Sequence, residues 1–211
     1  MSAYFVWTDL ESGGLNGRLS DGTLGCETLP ILEIAIIVTD TDLNEIGEPL
    51  RLVVHHDTET LLSMSEWAIN THKESGLLGE VENSTLTLEE AEDAITSYLR
   101  GLGVQAYDRD AKTGGIMAGN SIHFDRSFIM AQMPTLNNYL HYRMLDVSAI
   151  ALAARYFSPQ LAGKATEFKQ YQHEALADIR ESVEELKVYR EALGSVDTLF
   201  LDAPFLESAT R

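Results

Sequence analysis

The sequence predicts a mixed α/β domain whose sheet begins as an antiparallel meander and is covered by helices. Three observations carry this. Residues 4–9 and 31–39 are short apolar runs rich in aromatic and β-branched side chains, the pattern of buried strands. Beyond residue 55 the hydrophobic period changes to the three-four spacing of helices. A further apolar run at residues 116–118 lies between helical signals, giving the order strand-strand-strand-helix-strand-helix-helix.

Between the first two strands, residues 12–30 are rich in Gly, Ser and Asp, which predicts a long mobile loop bordering a site rather than a regular element. Residues 44–49 read as a turn and residues 50–55 as a third strand pairing back. Thr87 with Glu90 three residues later reads as a capping box for a helix with Ala91, Ile95 and Leu99 on one face. Residues 104–115 are polar and contain Gly, and the fourth strand follows. Residues 126–133 read as a helix closed by Pro134, and residues 147–156 as another, favoured by Ala149, Ala151, Ala153 and Ala154. Leu176, Ile179, Val183, Leu186 and Tyr189 mark the apolar face of a last helix over about residues 175–193, with Gly194 as its end. One domain is expected over residues 1–194, with a C-terminal extension over residues 195–211.

The 211 residues carry 15 Lys+Arg against 33 Asp+Glu, a formal net charge of -18. Such a chain repels polyphosphate, so affinity gained by tracking a long nucleic-acid backbone is excluded. Residues 74–93 alone hold seven acids and no Lys or Arg. With Cys26 the one cysteine, no internal disulfide can form, and a reducing compartment, the cytoplasm, is expected. The first residues lead into Asp9 and Glu11 without the basic and apolar regions of a signal peptide, and no stretch long enough to span a bilayer lacks charge.

Asp9 and Glu11 stand at i and i+2 at the end of the first strand, so both carboxylates leave the same face. Two acids there are costly to bury without a cation, and a divalent metal supplies one. The alternative is that the strand ends at Trp7 and both acids are solvated. Asp125 lies between a short strand and a helix, where a helix N-cap is the plain alternative. His173, on the loop before the last helix, and Asp178, in its first turns, can converge on one pocket. Otherwise they are surface groups at a helix start, where negative charge is favourable anyway.

Taken together, Asp-x-Glu on a first strand, Asp after a later strand, and Asp on the last helix with His five residues before it are far more specific than any one part. The chain resembles the DEDDh 3'-to-5' exonucleases of the ribonuclease H-like fold, and more narrowly the oligoribonucleases. The resemblance runs through Val6-Trp7-Thr8-Asp9-Leu10-Glu11 with Gly14-Leu15, Leu32-Glu33-Ile34-Ala35, Trp67 with Thr71-His72, and Gly119-Asn120-Ser121-Ile122. It continues through His141-Tyr142-Arg143, Leu145-Asp146-Val147-Ser148 and His173 to Asp178, in collinear order over about residues 4–193.

The resemblance implies a mixed five-stranded sheet, an antiparallel meander followed by parallel strands, flanked by helices. It implies that Asp9, Glu11, Asp125 and Asp178 hold two divalent cations, Mg²⁺ or Mn²⁺, with His173 as general base. The implied reaction is 3'-to-5' hydrolysis of very short RNA, down to dinucleotides, to nucleoside 5'-monophosphates. Residues matching Leu15 and Trp67 wedge and stack the bases, and the match to His72 also lies in the pocket. Those matching Ser121, Arg143 and Ser148 meet the 5' phosphate, with the equivalent of Tyr142 reaching across from a second subunit, so a homodimer is implied. Carboxylates are the hard ligands such cations prefer, and imidazole can take a proton near neutral pH. Stacking reads any base, and Arg suits a phosphate.

The chain departs from the family's pattern in a longer loop between Leu15 and Leu32, an insertion around residues 107–115, His123-Phe124 ahead of Asp125, and Ala177 ahead of Asp178. All five catalytic-type residues remain. The alternatives are a DEDDh exonuclease acting on longer DNA or structured RNA ends, which a basic patch would favour, and a non-catalytic nucleotide-binding module.

Overall fold

The first strand, β1 (Phe5–Ser12), is the centre of the molecule, and its alternating side chains separate two cores. The computed structural model of the chain describes residues 4–168 and 174–201, with helical backbone alone for 195–201. Around β1 the sheet has the order β3-β2-β1-β4-β5. β2 (Ile31–Thr39) pairs antiparallel with β1 and with β3 (Leu50–Val53), while β4 (Ile116–Gly119) pairs parallel with β1 and with β5 (Met144–Asp146). This is the meander-then-parallel sheet expected from the sequence.

β2 is buried along its whole length, which explains its continuous apolar run: both faces are covered. On one face Val6, Leu10, Ile34, Ile36 and Val38 pack against α5 (Leu88–Gly101), α6 (His123–Gln132) and α7 (Pro134–Tyr139). On the other, Trp7, Ala35 and Ile37 pack against α8 (Val147–Phe157), α9 (Pro159–Thr166) and α10 (Ala175–Leu201). Trp7 is fully buried, and its indole N–H donates to Thr39 Oγ1 at 3.0 Å, so no polar group is stranded there.

The expected elements recur with instructive shifts. β1 runs on to Ser12 because residues 9–11 continue the ladder, Glu11 standing opposite Glu33. The solvated-loop alternative for Asp9 and Glu11 is thereby excluded. Residues 12–30 are not one irregular loop: they contain α1 (Gly25–Thr28) and a bridge between Arg18 and Leu24. Between β3 and α5 the chain forms α2 (Thr58–Leu62), α3 (Glu66–Glu74) and α4 (Leu77–Asn83), with Asp57 and Ser65 capping the first two. The capping box at Thr87 and Glu90 forms as expected.

Pro134 opens α7 rather than only closing α6, since its missing N–H is harmless at a first helical position. Another N–H of that first turn, on Leu136, is met by buried Glu92. Gly194 does not end the last helix, which continues to Leu201. A lone Gly costs roughly 1 kcal/mol in a helix interior, too little to break so long an element. Among the described residues, no helix is long and apolar enough to cross a membrane.

Candidate active site

The carboxylates lie along the stretch where β1 passes the start of α10. Asp9 and Glu11 project from the Trp7 face of β1, toward the first turn of α10, which carries Asp178. Asp125 arrives from the opposite layer. It is not an N-cap but the third residue of α6, and its Oδ1 accepts the Leu10 N–H at 2.9 Å. That bond ties the helix directly to the strand between the two other acids.

The acids act on one another electrostatically. Asp9 retains some surface on the cleft, yet burial holds its carboxyl well above the usual range, reinforced by Asp125, Glu11, Asp178 and Glu33. Glu11 is pushed up to about 7 by burial, Glu33 and Asp178, and Asp125 to about 7, chiefly by burial. Among the described residues, the charged groups acting on Asp9 are carboxylates. Such an assembly is unfavourable at neutral pH unless cations join it. Among the described residues no three His, Cys, Asp or Glu side chains yet converge on one point as a finished metal cage. The donor set fits a hard divalent ion nonetheless: all four groups offer carboxylate oxygen.

Glu33 is a fifth acid that sequence reading left unassigned. It is buried opposite Glu11, a like-charge cross-strand pair that destabilises a sheet on its own. Arg51 on β3 compensates, reaching Glu33 at 2.5 Å and Glu80 at 2.8 Å.

Cavities of about 600 Å³ and 610 Å³ open on either side of the acids. The first is lined by Asp9, Asn120, Ser148 and Asp178, the second by Glu11, Trp67, His72 and Leu176. Trp67 is 68% exposed and Leu15 73% exposed. Neither is a core side chain, so both side chains are free to meet a ligand in the cleft. His72 is buried; its Nε2 faces the Ser12 carbonyl at 3.0 Å and its Nδ1 lies 3.9 Å from Glu11. Burial lowers its pKa, keeping the ring neutral at pH 7.

At the far end of β4, Ser121 takes a φ of 50°, which turns its N–H toward Asp146 Oδ1 at 3.1 Å and Ser148 Oγ at 3.0 Å. Asp146 also caps α8 through the Ser148 N–H. Asn120 extends this network, accepting from Ser148 Oγ and donating to Ser182 Oγ on α10. Asp146 and Asn120 were missed as site residues, although Asp-x-Ser ahead of an alanine-rich helix is a recognisable cap. Ser121 and Ser148 thus meet, whereas Tyr142 and Arg143 stand at the other end of β5, exposed, with Arg143 Nε donating to Tyr142 Oη at 3.0 Å. His173 lies outside the described residues.

Comparison with known proteins identifies the family. A family model described as exonuclease matches residues 6–186. Oligoribonuclease from Corynebacterium diphtheriae is 43% identical over 187 residues, covering 89% of this chain and 81% of its own length. Oligoribonuclease from Rhodococcus jostii is 42% identical over 192 residues (90% and 87%), and that from Francisella tularensis 39% over 191 (90% and 96%). Among solved structures, a zinc-bound complex of Escherichia coli exonuclease I with single-stranded DNA superposes with a TM-score of 0.65 at 17% identity. It covers 95% of this chain, but this chain spans only 43% of that one, so the likeness speaks for the fold.

Proposed function

The chain belongs to the exonuclease family and is a 3'-to-5' exoribonuclease of short RNA that depends on divalent metal; from that premise we propose how its own residues divide the work. Asp9, Glu11, Asp125 and Asp178 hold the metal, as two ions, Mg²⁺ or Mn²⁺. When bound, these ions supply charge neutralisation at the attacking and leaving oxygens and a water of lowered pKa. His173 would take a proton from the attacking water, whose oxygen bonds to the scissile phosphorus as the bond to the 3' oxygen of the preceding nucleotide breaks; that oxygen leaves protonated by solvent, and a nucleoside 5'-monophosphate is freed. The Asp125 bond to the Leu10 N–H fixes one ligand relative to the two on β1.

Leu15 and Trp67 grip the bases without reading their identity, because stacking energy accrues to any base. His72 holds the turn after β1 through the Ser12 carbonyl. Ser121 and Ser148 offer hydroxyls to the 5' phosphate, and Arg143 offers a charged fork. Tyr142 reaches across a homodimer. Its 59% exposure leaves it available, and its position at the start of β5 sets it apart from its own chain's Ser121–Ser148 pair. Dinucleotides are the preferred length, since a substrate with few phosphates escapes the repulsion of a -18 chain. Residues 1–194 form the catalytic domain, residues 195–211 extend it, and the protein works in the cytoplasm.

One observation carries this reading: Asp9, at the edge of the cleft, sits among four further carboxylates that raise its pKa, Asp125, Glu11, Asp178 and Glu33, an arrangement that cations resolve. The test is incubation of a 5'-labelled RNA dinucleotide with the protein and Mg²⁺ or Mn²⁺, with chromatography of the products. Nucleoside 5'-monophosphate is expected from the wild type and none from a folded Asp125→Ala variant. Full activity in Asp125→Ala would overturn the metal assignment.

A further inference from the structure

The insertion between α5 and β4 is not a slack connection. Asp108 Oδ1 accepts the N–H groups of Asp110 and Ala111, both at 2.8 Å, and Asp108 bridges back to Thr113. Thr113 Oγ1 donates to the Ala106 carbonyl at 2.7 Å. Gly114, at a φ of +112°, passes so close that a Cβ there would lie 3.0 Å from Tyr107 Cα. This small hairpin fixes one side chain, Tyr107, whose own N–H donates to the Tyr139 carbonyl at 2.8 Å.

The Tyr107 ring meets His141 edge-on at 5.0 Å between centroids and Tyr142 at 5.7 Å. His141 stacks on Tyr142 at 4.6 Å, and its Nδ1 accepts the Arg143 N–H at 2.9 Å. Arg143 in turn lies with its guanidinium carbon 5.5 Å from the Tyr142 ring centroid and donates to Tyr142 Oη. Without the insertion His141 and Tyr142 would each lose one ring contact and keep those to each other and to Arg143.

We infer that Tyr107 is a positioning residue: it braces the His141–Tyr142 stack and so holds Arg143 and Tyr142 ready for the 5' phosphate end of the substrate. This rests on the phosphate-binding roles proposed above for Arg143 and Tyr142. The brace lowers the ordering cost of binding, so its loss appears in KM while kcat stays near wild type. An edge-on aromatic contact corresponds to roughly a three- to tenfold effect.

The test is steady-state kinetics of wild type, Tyr107→Phe, Tyr107→Leu, Tyr107→Ala, Arg143→Ala and the Tyr107→Leu/Arg143→Ala double variant. Each is measured on a dinucleotide with and without a 5' phosphate. Tyr107→Leu and Tyr107→Ala should raise KM about three- to tenfold for the phosphorylated substrate alone, Tyr107→Phe should behave as wild type, and the double variant should exceed Arg143→Ala by less than the Tyr107→Leu effect alone. Leu keeps the apolar bulk, so it decides the matter if the Ala variant does not fold. If Arg143→Ala raises KM selectively but Tyr107→Leu does not, the brace is refuted while the phosphate reading stands. If Arg143→Ala treats both substrates as wild type does, that reading itself is refuted.

Discussion

Replacing Asp125 by Asn should stabilise the metal-free protein while abolishing its activity. The carboxyl is buried and its pKa is raised from 3.8 to about 7, whereas Asn keeps an oxygen for the Leu10 N–H and carries no charge. The sign follows from proton linkage. A carboxyl with a raised folded-state pKa binds more protons when folded, so the wild type loses stability as pH rises from about 4 to about 7 and no further above that. The difference of about 3 pKa units corresponds to an upper figure on the order of 4 kcal/mol at about pH 8, falling to roughly 1.5 kcal/mol at about pH 5. Urea denaturation in EDTA across that range, for wild type and Asp125→Asn, measures it. Adding Mg²⁺ or Mn²⁺ should close the gap, because bound metal stabilises the wild type by mass action and the variant less. A variant less stable than wild type by the same margin at every pH would refute the claim that ionised Asp125 is buried at a cost.

Three other perturbations separate the parts of the site. Trp67→Ala should weaken dinucleotide binding by roughly five- to 150-fold, the range for one stacked base, with an unchanged melting temperature because the ring is exposed; isothermal titration with a non-hydrolysable dinucleotide checks both. Gly25→Ala should displace Leu15, since the new Cβ would fall 1.9 Å from the Leu15 carbonyl oxygen, and cut kcat/KM by roughly ten- to a hundredfold; kinetics at several substrate concentrations decide whether KM carries the loss. Thr87→Ala should cost about 1 kcal/mol by removing the capping box of α5, with kcat untouched, as urea denaturation and activity assays together would reveal.

Where one local signal dominated, the sequence was a good guide. β2 falls on residues 31–39 as read, because burial on both faces demands an unbroken apolar run. The capping box of α5 is equally local. β1 was cut short at Asp9 because Glu11 and Ser12 have poor strand character; they are held by pairing with β2, which no local signal reports. Helices α2 to α4 are too short for the three-four period to stand out, and their caps, Asp57 and Ser65, were the readable trace. β5 is three residues long and exists through its parallel pairing with β4.

The candidate site divides in the same way. Asp9, Glu11, Asp125 and Asp178 were singled out through the spacing of residue types and the family resemblance. Glu33, Arg51, Asn120 and Asp146 were not assigned, because their roles arise from contacts between strands and helices distant in sequence. Tyr107 belongs to this second group: nothing in a polar insertion indicates that one ring will land beside His141 and Tyr142.

The most direct measurement is a length competition. With Mg²⁺ or Mn²⁺ present, 5'-labelled RNAs of two, seven and about twenty nucleotides, with a DNA control, compete at equal concentration for the same enzyme at low and at moderate salt. The account predicts that the dinucleotide is consumed first, that kcat/KM falls steeply by the heptamer, and that the longest strand is poorest at low salt, where repulsion by the acidic surface is strongest. Equal or faster turnover of the longest strand would contradict it.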